Sequence, residues 1–502
     1  MISNIESLAL TGYDASLVLV EIDIKNSDKG TLQIIGLPDT AVKESRERVK
    51  AALENMGLSL AFYNGVINLA PGDIKKEGPL YDLPIALGIL AALKKNTALS
   101  DYLIIGELSL SGETRAIKGA LAYALQAKAL GKKGIILPKA NADEALRVEG
   151  LDVIGLGHIK ESKELFLNPA ALHSIATTSN ETASTFTGVD FADIKGQKHV
   201  KRALEIAAAG QHHVLLSGPP GIGKTLLSRA LAGILPSMST DERLETMRLH
   251  SLAHLTQELR GRPFRAPHHS ISNAGLIGGS HKIRPGEVSL AHNGVLFLDE
   301  LPEFNRSTLE VLRQPLEDRH VTISRASGTS TFPAKFLLIA TMNPCPCGYY
   351  GHPTRRCKDS GKEIERYQKK LSGPLLDRID MKIEVSPIKF EEFHEKDAET
   401  SEKVRERVEK ARKIQAERLG PARVNQEMTP QEISRYCHLN DEGNSLLRQA
   451  QEALSLSHRA CHKLLKVART LADLEGAPAI LPPHLLEAMT YRESCADASP
   501  PA

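Results

Sequence analysis

Short apolar runs alternate with helix-like periods through the first third of the chain. Strands are predicted at 17–24, 30–35, 65–69, 103–110 and 134–137. Helical spacing predicts helices at 39–56, 83–93 and 116–130, and Gly57 and Gly131 follow two of them as stop signals. This alternation predicts an α/β domain over residues 1–170.

A second α/β pattern follows a Ser- and Thr-rich stretch, residues 171–188, which is predicted to be a linker. The alternative is a polar surface loop within one domain. Residues 189–388 contain apolar strands at 214–216, 295–298 and 337–342. Residues 389–496 are mostly helix-compatible, with helices predicted at 395–419, 461–475 and 484–492, and residues 497–502 are predicted to be a disordered tail.

The composition is that of an ordinary globular protein: 41% of the 502 residues are hydrophobic and 25% are charged. No apolar run is long enough to span a bilayer, so no membrane partner is expected. The first residues lack a basic segment followed by a long apolar one, so a cytoplasmic protein is expected. A net charge of +2 gives no global attraction to nucleic acid, although local basic surfaces remain an option.

A glycine-rich loop stands between an apolar strand and a helix-compatible segment. It has the GxxxxGK[ST] pattern, in which backbone N–H groups surround phosphate oxygens at a helix N-terminus. Lys224 would reach the β- and γ-phosphates and Thr225 would bind Mg²⁺. The alternative is a Gly/Pro turn with a chance Lys-Thr pair. The predicted nucleotide contacts are Gly218, Pro219, Pro220, Gly221, Ile222, Gly223, Lys224, Thr225 and Leu226.

Polar residues end two further apolar strands. Asp299 and Glu300 follow one strand, and Asn343 ends the next. The carboxyl ends of parallel strands meet at one edge of a sheet, which is where α/β folds bind ligands. Asp299 is predicted to hold Mg²⁺, Glu300 to polarise the attacking water, and Asn343 to contact the γ-phosphate. The alternative is that the carboxylates only end a strand at a solvated edge.

Two motifs of the first domain resemble the proteolytic domain of Lon proteases, a ribosomal S5 domain 2-like fold. They are residues 77–84, EGPLYDLP, and residues 106–112, GELSLSG. The resemblance implies a catalytic serine and a catalytic lysine at the positions that Leu80 and Leu121 occupy here. A Ser–Lys dyad needs a hydroxyl and an amine, so no peptidase activity is expected.

The remaining motifs resemble the magnesium-chelatase-like AAA+ proteins, and within them the competence-associated ComM (YifB-type) family. They include residues 265–269 (RAPHH), 284–294 (RPGEVSLAHNG) and 343–348 (NPCPCG). The resemblance covers essentially the whole chain. It implies an α/β multidomain protein with a Lon-like N-terminal domain, an AAA+ P-loop core with a parallel sheet and a C-terminal helical lid.

This resemblance implies further site residues. Ile194 and Gly196 would contact the base. Arg378 would be an arginine finger for the neighbouring subunit, or would instead pair with Asp377 or Asp380. Arg459 would reach the γ-phosphate from the lid, with Arg469 as its competitor.

Two pore elements are also implied, an insert at 262–284 in the helix after the phosphate loop and a β-hairpin at 321–336. The hairpin pattern is visible independently, because strand-like segments flank a turn at Ser327-Gly328. The basic residues that could contact DNA phosphates are Arg325, Lys335, Lys282 and Arg284.

Three cysteines lie in one short loop, at positions 345, 347 and 357. They resemble the family's four-cysteine loop, which looks like a zinc site, with Asp359 in the place of the fourth thiolate. Asp359 or His352 would complete a Zn²⁺ site formed with Cys345, Cys347 and Cys357. The alternative is a metal-free loop whose cysteines act as small apolar residues.

Three functions are consistent with these motifs. The first, carried by the resemblance, is a Mg²⁺-dependent ATPase that forms a homo-oligomeric, hexameric ring. It would act on single-stranded or branched DNA as a branch-migration helicase during natural transformation. The second is a chelatase-like, ATP-driven motor that remodels a protein partner and binds no DNA. The third, an ATP-dependent protease, is disfavoured by Leu80 and Leu121.

Overall fold

The computed structural model describes residues 1–28, 30–174, 188–253, 255, 259–279, 283–325, 328–388, 399–453 and 456–492. Most of the predicted linker and the predicted tail therefore lie outside the described residues. Within the described part, no helix is long and apolar enough to cross a membrane.

The first domain is a seven-stranded mixed sheet with helices packed against it. Its strands are β1 Ile2–Thr11, β2 Asp14–Asn26, β3 Thr31–Ile35, β4 Tyr63–Ala70, β5 Tyr102–Ile104, β6 Glu107–Leu108, β7 Thr114–Arg115, β8 Gly134–Pro138 and β9 Asp152–Leu156. Its helices are α1 Thr40–Glu54, α2 Asp82–Lys94, α3 Ala120–Ala129, α4 Ala142–Ala145 and α5 Ser162–Leu167. The sheet order is β3-β4-β2-β1-β5-β8-β9, and β6 pairs with β7 separately.

Two predictions for this domain need correction. The strand predicted at 103–110 is broken into β5 and β6 around Gly106. A Cβ at Gly106 would lie 2.9 Å from the Leu83 side chain, and the Gly106 amide bonds the Leu80 carbonyl instead of a sheet partner. The predicted linker begins later than residue 171, because Ser174 donates its amide to Val153 on β9.

The second domain is built on a five-stranded parallel sheet. Its strands are β10 Val214–Ser217, β11 Phe264–Arg265, β12 Val295–Leu298, β15 Leu337–Met342 and β16 Met381–Glu384, with a separate hairpin of β13 His320–Arg325 and β14 Gly328–Pro333. Its helices are α6 Lys198–Gly210, α7 Lys224–Ile234, α8 Thr240–Leu252, α9 Asn273–Ile277, α10 Glu287–Leu290, α11 Arg306–Glu310, α12 Arg313–Asp318, α13 Gly361–Gln368 and α14 Gly373–Leu376. The order β11-β12-β15-β10-β16 places the strand before the phosphate loop beside the strand that ends at Asn343.

A helical region, residues 399–492, completes the described chain and is called the lid below. Its helices are α15 Ser401–Leu419, α16 Pro430–Tyr436, α17 Asp441–Ala453, α18 His458–Leu474 and α19 Pro482–Thr490. α15 and α18 pack against α6, and their apolar faces join the hydrophobic core of the parallel sheet. Thr429 caps α16 through a reciprocal capping box with Glu432, and Pro430 is the first residue of that helix.

The first domain docks onto the second through the turn between β1 and β2. The guanidinium of Arg248 on α8 lies 4.0 Å from the ring centroid of Tyr13 and donates to the Tyr13 carbonyl. The Tyr13 amide donates to the Ser330 hydroxyl on β14 at 2.8 Å. A Cβ on Gly12 would lie 2.4 Å from that hydroxyl, so only glycine fits this close approach. The turn therefore contacts the β13–β14 hairpin directly.

A buried ion pair joins the lid to the core. Asp380 is buried and accepts from Lys463 Nζ on α18 at 2.8 Å and from the His213 amide, next to β10, at 2.9 Å. Burial alone would raise the pKa of Asp380, but Lys463 together with His213 and His212 outweighs burial and holds that pKa well below its usual range. The charged pair therefore contributes stability above the unfolded carboxyl pKa of about 4 and loses it as the pH falls.

Asp380→Ala should destabilise the protein by about 3–5 kcal/mol, because it leaves the Lys463 ammonium buried without its partner. Urea unfolding at neutral pH measures the change. Asp377→Ala removes an exposed carboxylate of the same segment and should cost less than about 0.5 kcal/mol. Equal losses for the two variants would contradict this account of the pair.

Candidate functional site

The phosphate loop lies between β10 and α7, in the strand–loop–helix order that its pattern predicts. Gly221 and Gly223 adopt φ values of +80° and +89°, which favour glycine. A Cβ on Gly218 would lie 2.3 Å from the Val385 carbonyl oxygen, so the loop also needs glycine where it passes β16. α7 begins at Lys224, directly after Gly223.

The carboxyl ends of β12 and β15 bring the predicted polar residues to this loop. Thr225 donates its hydroxyl to Asp299 Oδ2 at 3.0 Å. On its other side, the Asp299 carboxylate accepts a hydrogen bond from the Thr341 hydroxyl of β15. The same hydroxyl accepts the Glu300 amide at 3.1 Å. Thr341, which the sequence reading missed, therefore orients both carboxylate-bearing residues.

The backbone of Glu300 lies in the left-handed region, at φ +52°, and the Glu300 side chain is exposed. Non-glycine residues adopt this conformation infrequently, and it is concentrated at functional sites. The turn directs the chain away from the sheet directly after Asp299. One carboxylate thus bonds the phosphate-loop threonine and the next is free to meet solvent.

Lys224 is buried at the base of the loop. Its ammonium donates to the Pro219 carbonyl and to Asn343 Oδ1, each at 2.9 Å, and also to the Gly218 carbonyl. Burial lowers the pKa of Lys224 to about 8, against the opposing effect of Asp299 and Glu300. The structure thus brings together Lys224, Thr225, Asp299 and Asn343, which the sequence predicted to act together.

These residues line a cavity of about 510 Å³. Its lining contains Pro220 through Leu226, both carboxylates and Asn343. It also contains Arg229 of α7, which the sequence analysis does not identify. Its position four residues after Thr225, on the same face of that helix, was the signal that could have identified it.

Ile194 and Gly196 line a separate cavity of about 580 Å³. This cavity lies beside the short turn Phe191–Asp193, which packs against α7. Glu399, Val404 and Arg407 from the lid side complete its lining. Ile194 and Gly196 thus line a cavity between the start of the core and the lid, where Ile194 itself is buried, and their contact with a base stays a prediction.

The two arginines implied to act in catalysis lie together, outside the phosphate cavity. Arg378 donates to Glu317 Oε2 at 2.6 Å, and Arg459 on α18 pairs with the other oxygen of the same carboxylate. Among the described residues, the lining of the phosphate cavity includes neither arginine. Arg459 therefore lies outside the phosphate cavity of its own chain, because the lid places α18 beside α12, and its contact with a γ-phosphate stays a prediction.

The alternatives for these arginines are also decided by geometry. Arg378 does pair within its own chain, but with Glu317 rather than with Asp377 or Asp380. Arg469 is buried in the lid, where it pairs with Asp473 at 3.0 Å and donates to the Pro478 carbonyl. It therefore stabilises the lid and cannot replace Arg459.

The structure describes part of each segment that was predicted to be a pore element. The insert at 262–284 contains β11 and α9 and lies between α8 and α10, so its predicted position in the helix after the phosphate loop was wrong. Arg325 at the hairpin end donates to the Gly279 carbonyl of the insert, and Arg284 is exposed. Lys335 is instead held by the Ala422 carbonyl and the Glu427 carboxylate, so it offers no free charge to DNA here. Lys282 and Ser327 lie outside the described residues.

The cysteine loop gathers its predicted ligands. The Sγ–Sγ distances are 3.4, 3.6 and 3.5 Å for the pairs 345–347, 345–357 and 347–357, too long for a disulfide. Asp359 Oδ2 lies 3.7 Å from Cys357 Sγ, and one ligand atom from each residue lies within 4.8 Å of all the others. Three thiols and a carboxylate at these separations fit a tetrahedral zinc site, whereas His352 is not part of the group.

The positions of the absent protease dyad are apolar contacts. Leu121 on α3 is buried in a cluster that includes Met247 of α8. Leu80 packs against the edge of the same cluster. The face that would carry a Ser–Lys dyad in a Lon protease instead packs against the ATPase-like domain.

Comparisons with known proteins match the N-terminal domain, the core and the C-terminal region separately. Residues 190–393 match the family described as magnesium chelatase, subunit ChlI, and residues 20–141 and 398–492 match two further ChlI family models. Competence protein ComM of Haemophilus influenzae is 44% identical over 97% of this chain and 96% of that protein. The uncharacterised protein YifB of Escherichia coli is 41% identical over 98% and 97%. Lon protease 2 of Bacillus subtilis is 28% identical over 33% of each chain. The chain belongs to the ComM/YifB-type family of magnesium-chelatase-like AAA+ proteins.

Proposed function

We propose that this chain is a Mg²⁺-dependent ATPase that assembles into a hexameric ring and acts on DNA as a branch-migration helicase in recombination during natural transformation. Membership in the AAA+ family supports the ATPase. The relative named as a competence protein supports the biological setting. Neither the DNA reaction nor the hexameric ring follows from these comparisons, and both are proposed.

The observation that carries the proposal is the separation of the two arginines from the phosphate cavity. Phosphoryl transfer is accelerated by a positively charged group that lies close to the transferring γ-phosphate and stabilises its negative charge in the transition state. An arginine of a neighbouring subunit can supply this group. Glu317 holds Arg378 and Arg459 together, and neither belongs to the lining of the phosphate cavity. A ring that packs these arginines against the next subunit's cavity would complete each site with both of them.

Within one site, different residues of this chain bind the phosphates, orient the attacking water and accept its proton. Lys224 and the loop amides bind the phosphates, and Asn343 orients the γ-phosphate and water. Glu300 polarises the attacking water and accepts its proton. Mg²⁺ suits the oxygen ligands that Thr225 and Asp299 present, and when bound it neutralises charge on the β- and γ-phosphate oxygens.

A protein-remodelling motor is the second candidate. The exposed positions of the hairpin strands include four hydroxyl side chains, Thr322, Ser324, Thr329 and Thr331. Hydroxyl groups can hydrogen-bond a peptide backbone as well as a phosphate, so they favour neither substrate. The exposed arginines at 284 and 325 favour DNA.

Anisotropy of a labelled four-way junction, a single strand and a duplex tests the DNA step. The Glu300→Gln protein with ATP and Mg²⁺ should bind the junction or the single strand, and the affinity should fall steeply with salt. Replacing both Arg284 and Arg325 with Ala should weaken binding roughly tenfold, as loss of two phosphate contacts would. Lys25→Ala, at an exposed site of the first domain, is the matched control. An absence of DNA binding by an ATP-bound, assembled protein would move the assignment to protein remodelling.

Nucleotide affinity should depend on pH through Lys224. Its pKa of about 8 lies below the unfolded value of about 10.4, and bound phosphates raise it again. Binding therefore takes up a proton above pH 8, and the affinity should fall about tenfold per pH unit from there until the bound-state pKa is reached. Titration with a fluorescent ATP analogue from pH 7 to 9.5 measures this. An affinity that stays constant over this range would contradict a buried, partly neutral Lys224.

Zinc at the cysteine loop is the remaining cofactor of the proposal. Cys345, Cys347, Cys357 and Asp359 would hold it. Thiolate ligands favour zinc over the hard cation Mg²⁺. When bound, it would tie the two ends of the loop together.

A further inference from the structure

The cysteine loop lies directly after the residue predicted to sense the γ-phosphate. Asn343 ends β15, and the first thiol, Cys345, follows two residues later. The last ligand, Asp359, immediately precedes Ser360, which caps α13 through a reciprocal capping box with Glu363. The four ligands therefore join the end of β15 to the start of α13.

α13 in turn holds the backbone around Asn343. Gln368, its last residue, donates to the Pro344 carbonyl at 3.3 Å. The hydroxyl of the neighbouring Tyr367, which is buried, is hydrogen-bonded by the Asn343 backbone. The position of Asn343 thus depends on where α13 starts, and that start adjoins the ligand Asp359.

The same loop rests on the phosphate loop. Gly348 adopts φ +81°, and a Cβ added there would lie 2.5 Å from Pro220 Cδ. Only glycine lets the two loops approach this closely. The phosphate loop therefore contacts the segment enclosed by the four ligands, and the backbone around Asn343 contacts α13, which begins directly after that segment.

We propose that Cys345, Cys347, Cys357 and Asp359, with a thiophilic divalent metal bound, act as positioning residues for ATP hydrolysis by fixing Asn343 against the phosphate loop. The inference rests on the ATPase and the metal site of the proposed function. Without the metal, the hydrogen bond that the Cys347 amide donates to Asp359 Oδ2, at 2.8 Å, still links the two ends of the loop. Occupancy should therefore control turnover much more than nucleotide affinity, because Lys224 and the loop glycines bind phosphate without the cysteine loop.

Co²⁺ substitution tests the ligands without any activity assay. The protein should bind one Co²⁺ per chain with the absorption of a tetrahedral thiolate complex. Cys347→Ser should abolish this absorption, and Asp359→Ala should weaken Co²⁺ binding by roughly 10- to 100-fold. Asp359→Cys should retain it, since a fourth thiolate suits the same metal. Cys461→Ser, a cysteine of the lid, is the control. Absence of the thiolate absorption would overturn the ligand set.

Hydrogen exchange and kinetics test the coupling. Chelation should accelerate amide exchange over residues 343–368 roughly tenfold and leave β1–β4 unchanged. It should lower kcat by about 10- to 100-fold with the dissociation constant of an ATP analogue changed less than threefold. Metal binding with unchanged exchange and unchanged kcat would overturn the proposal. The Glu300→Gln protein should show the same exchange response, so this readout remains decisive even if the chain proves to hydrolyse no ATP.

Discussion

Glu300→Gln should lower ATP turnover by about 100-fold or more while nucleotide affinity stays within about threefold. The amide keeps the size of the side chain but cannot accept the proton of the attacking water, and general-base catalysis contributes about 10²–10⁴-fold. The Asp299 contact to Thr225 and the Lys224 contacts do not involve the Glu300 side chain, so binding should persist. Steady-state turnover and analogue titration of the same preparation separate the two effects.

Glu303→Gln is the matched control. It changes an exposed carboxylate three residues later, whose partner is Lys370 on the protein surface. Turnover should stay within about twofold, as surface substitutions have small effects. Lys224→Ala should behave differently from both and lose nucleotide binding. If Glu300→Gln hydrolyses ATP at a rate close to that of the unsubstituted chain, the assigned base is wrong.

Arg378→Ala should abolish turnover in rings made of that variant alone, by about 10³-fold, the effect of removing an arginine finger. Its own phosphate cavity is intact, because Arg378 lies at Glu317 and not in the cavity lining. Mixing it with Lys224→Ala subunits, which have a defective cavity but both arginines, should restore activity at mixed interfaces. Turnover across a series of mixing ratios measures this complementation.

Arg459→Ala should complement in the same way, because its guanidinium shares the Glu317 carboxylate with Arg378. Arg313→Ala is the control, since Arg313 pairs with Glu310 and only its backbone carbonyl contacts Arg378. Mixed rings that assemble but stay inactive at every ratio would contradict action between subunits. Activity of Arg378→Ala rings alone would contradict the finger itself.

The phosphate cavity could be predicted from the sequence because its residues follow apolar strands. Parallel strands end at one edge, so the residues after β10, β12 and β15 meet whatever their separation in the chain. Thr341 could not be recognised in this way. It lies inside an apolar strand, and only the three-dimensional pairing of β12 with β15 shows that its hydroxyl bonds both Asp299 and the Glu300 amide.

The positions and partners of side chains that depend on domain packing were harder to predict. The place of Arg459 depends on how the lid rests on the core, through contacts such as Lys463 with Asp380 that join distant parts of the chain. The same holds for Lys335, which looked like a surface cation and is bound to Glu427 of the helical region. Local pattern predicts a helix or a strand, but the partner of a charged side chain comes from tertiary contacts.

The first domain shows both outcomes in one fold. Its helices α1 and α2 were predicted closely, because Asp39 caps the first and a continuous apolar segment forms the second. β1 and β9 were missed, since β1 mixes polar and apolar residues and β9 contains Asp152 and Gly155, residue types that are uncommon in strands. The turn that docks Tyr13 onto the hairpin carries no sequence signal beyond Gly12.

The ATPase rate of the purified protein without nucleic acid and with single-stranded DNA, duplex DNA and a four-way junction tests the central claim most directly. The Glu300→Gln protein, measured in parallel, assigns the activity to this site. A ring-forming DNA motor predicts low basal turnover and strong stimulation by single strands or junctions. Turnover that is abolished by Glu300→Gln but indifferent to every DNA would contradict the DNA motor and leave the protein-remodelling function in its place.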